Sequence, residues 1–517
     1  MHRICCALLL ALVLPLPAWA TPGRLTPEQA LRDLRILERG LTDLHPGLYR
    51  YQGPEDLAAE FAAARAAVAD GAEPTQLYLL AMHIAASVRC GHTWTNPLNQ
   101  GATLSAALDG LPTLPVHLRV LQDRFLVTAS ADPKLLTGDE ILSIDGRDAG
   151  TLVSEFLPYL RADGSNDGKR RSQLDSDQNG GTMDRLLPLL HPPMNGAYTL
   201  GVRGRDGSTR QVSAEALSSS LRDERLAALG APRNDEAWRL RVDGDVAVLT
   251  LPTFSFWRSD FDWKGFLDDT FTTLEKRRIP KLVIDLRQNE GGDDGIGRAL
   301  LGYLIARPYQ VPAGRVESAY ERVPYDLTRF LDTWDFSFFD RTGKVTRGPG
   351  RNWLLVEQPK PVVVAPQSRH YSGRVAALVG PRMSSAGFLI ARELKATGAA
   401  TLVGQATGGN LRGLNGGQLA WMTLPNSGVA VDIPLVASVH DGQPDSGVVP
   451  DVAVESSLEE IAAGRDPDRE AAEAWLSKTQ GASAVAPARA EIPLPGTRDL
   501  VSPKDAGTTA SGRRKGR

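Results

Sequence analysis

The sequence predicts an α/β protein, and three observations support that fold class. From about residue 245 to residue 454, apolar β-branched runs alternate with stretches of helical spacing, as in a sheet covered by helices. Residues 53–89 carry apolar side chains at helical spacing, and from about residue 111 the period becomes that of short strands. A chain of 517 residues is too long for a single core, so several domains are expected.

The first twenty residues have the features of a secretory signal peptide. Arg3 precedes an apolar run over 4–16, and Ala18-Trp-Ala20 supplies the small residues of a cleavage site. We therefore predict a signal peptide over 1–20 and an exported protein, periplasmic or secreted, with no integral membrane span after cleavage. A retained N-terminal anchor is the alternative. The net charge of −3 gives no reason to expect a nucleic acid partner.

Residues 21–105 are predicted to form an N-terminal helical region. Thr26 is a suitable N-cap for a helix over 27–39, and residues 53–89 continue the helical pattern. Cys90 is the single cysteine left once the signal peptide is removed, so no internal disulfide is expected. A lone cysteine in an apolar stretch favours a small buried residue, with a catalytic thiol as the alternative.

Residues 106–215 are predicted to form a β module. Runs over 116–120 and 124–128 have strand character, and Gly138-Asp-Glu-Ile-Leu-Ser-Ile-Asp-Gly146 is typical of a strand closed by a tight Asp-Gly turn. That phrase resembles PDZ domains, which implies a PDZ-like module. An unrelated small β module is the alternative. The Gly-Leu-Gly-type loop that captures chain ends in many PDZ domains is not found.

A strand followed by paired glycines occurs in Lys281-Leu-Val-Ile-Asp-Leu-Arg-Gln-Asn-Glu-Gly-Gly292. Without side chains, Gly291 and Gly292 can bring their N–H groups close to a ligand at positive φ. A simple turn is the alternative. Because backbone N–H groups can stabilise an oxyanion, this turn is one candidate half of an acyl-transfer site.

The other candidate half lies about ninety residues later, in Leu378-Val-Gly-Pro-Arg-Met-Ser-Ser-Ala-Gly-Phe-Leu-Ile-Ala391. There a buried strand leads to Ser385 at the expected start of a helix, where developing negative charge is favoured. Ser385 is therefore the candidate nucleophile, and the Ala386 N–H would lie near the attacked carbonyl. The alternative is that Ser384 or Ser385 merely caps the helix.

In this order, the two motifs resemble those of peptidase family S41, which includes the C-terminal processing proteases, the tricorn core and interphotoreceptor retinoid-binding protein modules. Gly404-Gln-Ala-Thr-Gly-Gly409 and Gly447-Val-Val-Pro-Asp451 are similar to later landmarks of the family. The resemblance spans about residues 30–455. It implies a crotonase-like (ClpP/crotonase-type) catalytic domain over 216–460. Beyond the resemblance, the sequence pattern over 461–517 predicts one more helix and a disordered tail.

The resemblance also suggests the general base. Processing proteases use a lysine at a position that holds Asn410 here, and no lysine lies between Lys395 and Lys478. The tricorn-like branch uses a histidine in a His-Thr landmark that Arg89-Cys-Gly-His-Thr93 resembles, which implies His92 as the base. A structural role for His92 is the alternative, and His45 and His440 are weaker candidates.

In the same branch, the carboxylate that orients the histidine base occupies the position of Asp445. Asp451 is the alternative candidate for this carboxylate. Phe388 departs from the family pattern, because many relatives carry an acid there.

The sequence thus predicts a metal-independent serine endopeptidase acting on a peptide or protein substrate, without a cofactor. Its site comprises Ser385, His92 and Asp445, with an oxyanion hole from Gly291 or Gly292 and Ala386. The alternative is a catalytically inactive peptide- or ligand-binding protein on the same scaffold. The sequence does not determine the oligomeric state.

Overall fold

The structure is a computed structural model that describes residues 23–176, 181–230, 238–257, 259–348 and 350–478. The predicted signal peptide over 1–20 and the predicted tail over 481–517 lie outside these ranges. Within the described ranges, no helix is long and apolar enough to cross a membrane.

Four helices form the N-terminal part of the described chain: α1 Pro27–Leu44, α2 Pro54–Ala67, α3 Pro74–Ser87 and α4 Ala102–Asp109. Helix α1 begins as predicted, because Thr26 and Gln29 cap each other's backbone N–H groups. The continuous helical stretch predicted over 53–89 is instead two helices. Gly71 separates them at a φ of +85°, where an added Cβ would lie 2.4 Å from the Leu25 carbonyl oxygen.

An antiparallel six-stranded sheet follows, with strand order β1-β2-β3-β5-β6 and β4 paired to β3. Its strands are β1 Val116–Leu121, β2 Arg124–Ser130, β3 Glu140–Ile144, β4 Arg147–Asp148, β5 Ala197–Arg203 and β6 Thr209–Glu215. Helices α5 Ala149–Phe156, α6 Asp167–Ser172, α7 Met183–Leu190 and α8 Ser219–Ala228 accompany it. The predicted Asp-Gly turn is confirmed, with positive φ at Asp145 and Gly146.

A second six-stranded sheet, order β21-β17-β16-β9-β8-β7, is parallel except for the β7–β8 pair. Its strands are β7 Arg239–Asp243, β8 Val246–Thr250, β9 Lys281–Asp285, β16 Arg374–Val379, β17 Thr401–Gly404 and β21 Val452–Ala453. The helices around it are α9 Trp263–Lys276, α10 Asp294–Leu304, α12 Ser385–Thr397 and α14 Pro467–Ser477. The predicted strand–helix alternation is therefore confirmed, and so is the α/β class.

Shorter elements connect these parts in three small sheets. They comprise β10 Tyr309–Val311, β11 Arg315–Ser318, β12 Leu331–Asp332, β13 Val345–Arg347, β14 Trp353–Leu355, β15 Val362–Val364, β18 Leu419–Thr423, β19 Ala430–Pro434 and β20 Ala437–Val439, with helices α11 Tyr325–Thr328 and α13 Leu458–Ala462. Short 3₁₀ helices cover Pro97–Asn99, Leu157–Tyr159 and Phe336–Phe339.

Packing between distant parts of the chain positions the N-terminal helices. Helices α1 to α3 share a hydrophobic core with β18 and β19, and Gly40 allows α1 to approach the Met422 side chain closely. The Asp432 N–H also donates to the Trp94 carbonyl at 2.9 Å. As a result, the segment that contains His92 is anchored to strands more than three hundred residues away in sequence.

Candidate active site

Ser385 is the first residue of α12 and follows the sharp turn after β16. Its φ is +50°, a left-handed conformation that is uncommon for any residue other than glycine. Ser384 is the N-cap residue but makes no side-chain cap hydrogen bond, and its hydroxyl donates to the Glu290 carbonyl at 3.2 Å. Ser384 therefore occupies the cap position without making the side-chain hydrogen bond of a cap. The strained backbone instead presents Ser385 at a helix N-terminus.

The paired glycines meet Ser385 because β9 and β16 are parallel neighbours, with Asp285 opposite Leu378. The turns that follow the two strands therefore lie at the same edge of the sheet. Gly291 has a φ of +111°, and an added Cβ would lie 2.6 Å from Ser385 Cβ and 2.9 Å from the Ala386 nitrogen. Because Gly291 has no side chain, the glycine turn can approach Ser385 and the Ala386 nitrogen this closely.

The N–H groups of the two glycines differ in availability. The Gly291 N–H donates to Asn289 Oδ1 at 2.9 Å and is already used. The β-bridge between Gly292 and Phe254 is made by the Gly291 carbonyl and the Asp293 N–H. The bridge does not use the Gly292 N–H, which is therefore available to a ligand. Gly292 itself is sterically required, because an added Cβ would lie 2.1 Å from the Phe254 carbonyl carbon.

His92 lies in the tight segment after α3. An added Cβ on Gly416 would lie 2.4 Å from His92 Nε2, so the loop before β18 packs directly against the imidazole. Burial lowers the pKa of His92 below its ordinary value, and the charges of Arg161 and Lys169 act in the same direction while that of Asp163 opposes them. The imidazole is therefore neutral at neutral pH and able to accept a proton.

Asp163 is the carboxylate beside His92, and sequence reasoning missed it. Oxygen and nitrogen ligand atoms of the two side chains lie within 4.8 Å of each other. Asp163 Oδ1 accepts the Gly91 N–H at 2.8 Å, whereas Asp163 Oδ2 and His92 Nδ1 are both buried without a hydrogen-bond partner. Asp163 occurs in an irregular stretch, and no local sequence signal marks it.

Asp445 contacts the loop that carries Asp163. Its Oδ1 accepts hydrogen bonds from Asn410 Nδ2 at 2.6 Å and from the Ser165 N–H at 3.2 Å. Asn410 Nδ2 also donates to the Asp163 carbonyl at 3.1 Å, so it bridges the two aspartates. Among the described residues no hydrogen bond joins Asp445 to His92, and a direct role for Asp445 at the imidazole stays a prediction.

A charge network connects the His92 segment to the glycine turn. Arg161 donates to the Gly91 carbonyl, and its guanidinium lies 3.4 Å from Glu290, the residue before Gly291. Lys169 Nζ lies 3.1 Å from Glu290 and donates to the Arg382 carbonyl at 2.9 Å. This network was not predicted, since Lys169 and Arg161 come from the part of the chain around α6.

Burial lowers the pKa of Lys169 to about 8, which leaves the ammonium mostly charged at neutral pH. Although burial opposes it, the charges of Lys169, Arg161 and Arg382 lower the pKa of Glu290 to about 2. Glu290 is therefore ionised, and its ion pairs hold the turn that precedes the glycines.

Other candidates from the sequence have structural roles. His45 is buried, with Nδ1 accepting the Gly47 N–H and Nε2 bonded to the Thr93 hydroxyl, and burial lowers its pKa to about 3. Asp451 accepts the Leu402 N–H and pairs with Lys395. Phe388 is buried in the core, where it fits against Gly409.

Cys90 is buried and burial raises its pKa, which does not favour a reactive thiolate.

In the part of the chain that the structure describes, no hydrogen bond joins the Ser385 hydroxyl to His92. Arg161 links the Gly91 carbonyl to Glu290, and the Glu290 carbonyl accepts the Ser384 hydroxyl, so the segments before the two residues are connected. A strained serine at a helix start, beside a glycine turn at the carboxyl edge of a parallel sheet, is the arrangement expected of a serine-type hydrolase.

Comparison with known proteins supports the resemblance. Residues 245–454 match the family model described as Peptidase family S41, as their motifs predicted. No curated protein sequence matches the chain.

Two solved structures of mature CPAF share the fold. The complex of mature CPAF with lactacystin is 18% identical at a TM-score of 0.58, and the alignment covers 87% of this chain and 98% of the other. Mature CPAF alone is 17% identical at a TM-score of 0.56, covering 87% and 96%.

Proposed function

We propose that this chain is an exported serine endopeptidase that hydrolyses peptide bonds through Ser385 and His92. The close approach of Gly291 to Ser385 and to the Ala386 nitrogen carries the proposal, because it supports a site in which the candidate nucleophile and the candidate oxyanion donors are neighbours. In this account residues 216–460 form a crotonase-like catalytic domain, and the sheet within 106–215 is a PDZ-like module. Export follows from the signal peptide predicted over residues 1–20.

In the first chemical step, the Ser385 oxygen attacks the carbonyl carbon of the scissile peptide bond. His92 accepts the hydroxyl proton as the new C–O bond forms. The negative charge that develops on the carbonyl oxygen is stabilised by the N–H groups of Ala386 and Gly292, because Gly291 donates to Asn289. Protonated His92 then gives its proton to the leaving amine.

In the second step, water hydrolyses the acyl-enzyme. His92 removes a proton from the water, and the new acid is released as Ser385 regains its hydrogen. Productive attack requires the Ser385 hydroxyl and the imidazole to come within hydrogen-bonding reach, which is commonly looser in a ligand-free site than in the substrate complex.

We further propose that Asp163 stabilises the imidazolium that forms on His92. Its unpartnered Oδ2 and the unpartnered His92 Nδ1 are the two atoms that this interaction requires. Asp445 would then act on His92 indirectly. It holds Asn410, which in turn donates to the carbonyl of Asp163.

A second candidate function, a non-catalytic peptide-binding protein, is favoured by one observation, the missing bond between Ser385 and His92. A peptide library incubated with the purified chain and analysed by mass spectrometry separates the two functions. We expect new peptide ends that accumulate with time in the presence of the wild-type chain and not with the Ser385→Ala variant. Retention of intact peptides without any cleavage would support the binding protein instead.

A further inference from the structure

Cys90, His92 and Asp163 form a compact cluster of metal-ligating side chains. The Cys90 sulfur, a ring nitrogen of His92 and a carboxylate oxygen of Asp163 all lie within 4.8 Å of one another. Two of the three residues are almost completely buried, since Cys90 is 3% and Asp163 is 4% exposed. Cys90 and His92 come from the segment after α3, and Asp163 comes from the loop before α6.

The cluster has unused ligand atoms. Asp163 Oδ2 and His92 Nδ1 are buried without a hydrogen-bond partner, which is uncommon for buried polar atoms and costs free energy. The Cys90 sulfur contacts Asn415 Nδ2 at 3.3 Å, and hydrogen bonds with Thr93 and with the His92 backbone also act on it. Each residue therefore offers an atom of a type that binds transition metals, and those of His92 and Asp163 have no partner in the protein.

We propose that Cys90, His92 and Asp163 form a regulatory site for Zn²⁺. Thiolate, imidazole and carboxylate are all zinc ligands, whereas Mg²⁺ and Ca²⁺ prefer oxygen alone. Ligand atoms around tetrahedral zinc lie roughly 3.5 Å apart, so these three atoms need to move by no more than about 1–2 Å. A water molecule fills the fourth position, and the Cys90 proton is released to solvent as the sulfur–zinc bond forms.

The expected consequence of zinc binding is inhibition of the peptidase. Zinc would bind the imidazole of His92, which otherwise accepts the Ser385 proton. It would also bind the carboxylate of Asp163, which otherwise stabilises the imidazolium. The inhibitory effect rests on the proposed function, whereas metal binding itself does not. The positive charges of Arg161 and Lys169, which His92 experiences, limit the affinity, so the site would fill and empty reversibly.

Metal binding is tested directly with Co²⁺, which reports a thiolate ligand by a charge-transfer absorption band. We expect the full-length, metal-free chain to develop this band at one equivalent of Co²⁺ and to lose it when Zn²⁺ is added. Cys90→Ser, which keeps a small polar side chain beside Asn415, should lack the band and bind Zn²⁺ at least about 10-fold more weakly in a chelator competition. His191→Ala is the matched control, since His191 pairs with Glu155 at a distant site and should change nothing.

Inhibition is tested with a cleavable peptide. Zn²⁺ should inhibit the wild-type enzyme reversibly, with recovery after a chelator is added, while Cys90→Ser and Cys90→Ala remain active at concentrations that inhibit the wild type. Equal inhibition of the cysteine variants, or the absence of a cobalt–thiolate band in the wild-type chain, would overturn the proposal. If the wild-type chain cleaves no peptide, the proposed function fails, and the cobalt spectrum alone still decides whether the site exists.

Discussion

Replacing Ser385 with alanine is expected to lower kcat for peptide hydrolysis by about 10⁶-fold, the loss typical of removing a serine nucleophile. No other described hydroxyl takes its position, because the Ser384 hydroxyl donates to the Glu290 carbonyl. The fold should be unaffected, since alanine meets the same backbone requirement at a φ of +50° as serine does. The measurement is single-turnover kinetics with a peptide identified from the library, with thermal unfolding as the check on folding.

Ser384→Ala is the matched control for this experiment. It removes one hydroxyl from the adjacent residue and one hydrogen bond, worth about 1 kcal/mol of stability. We expect it to retain most of the activity. Full turnover by Ser385→Ala, or an equal loss in both variants, would exclude Ser385 as the nucleophile.

Replacing Asp163 with asparagine is expected to lower kcat by about 10²- to 10⁴-fold, because the imidazolium on His92 loses its anionic partner. Asparagine is close in shape, and its Oδ1 can still accept the Gly91 N–H, so the loop should keep its position. The charge of Asp163 raises the pKa of His92, whereas burial, Arg161 and Lys169 lower it. Without that charge, the acidic limb of the kcat/KM profile should move to lower pH.

The matching variant is Asp445→Asn, which tests the carboxylate predicted from the sequence. Asp445 contacts Asn410 and Ser165, so we expect a smaller loss of activity and an acidic limb at the wild-type pH. A shifted limb in Asp445→Asn together with an unchanged limb in Asp163→Asn would assign the role to Asp445 and remove Asp163 from the mechanism.

That Ser385 lies beside the glycine turn could be predicted from the sequence. Each motif follows a short apolar strand, and the carboxyl ends of neighbouring parallel strands share one edge of the sheet. Local patterns also sufficed for α1, for β1 to β3 and for the Asp-Gly turn, because caps, alternation and turn chemistry act within a few residues.

The surroundings of His92 could not be predicted in this way. Its position depends on packing between α1–α3 and the strands β18 and β19, which are distant in sequence. Asp163 approaches His92, and Lys169 approaches Glu290, only through tertiary structure, and neither Asp163 nor Lys169 lies in a pattern of its own. The family resemblance suggested His92 from its neighbours in the sequence, but it pointed to Asp445 rather than to the carboxylate next to the ring.

Labelling with a fluorophosphonate probe tests most directly whether His92 activates Ser385. Peptide mapping of the labelled wild-type chain should place the probe on Ser385, and labelling should be absent from Ser385→Ala. His92→Ala should be labelled at least about 10²-fold more slowly, since the serine loses its general base. A probe attached to another residue, or labelling of His92→Ala at the wild-type rate, would contradict the account.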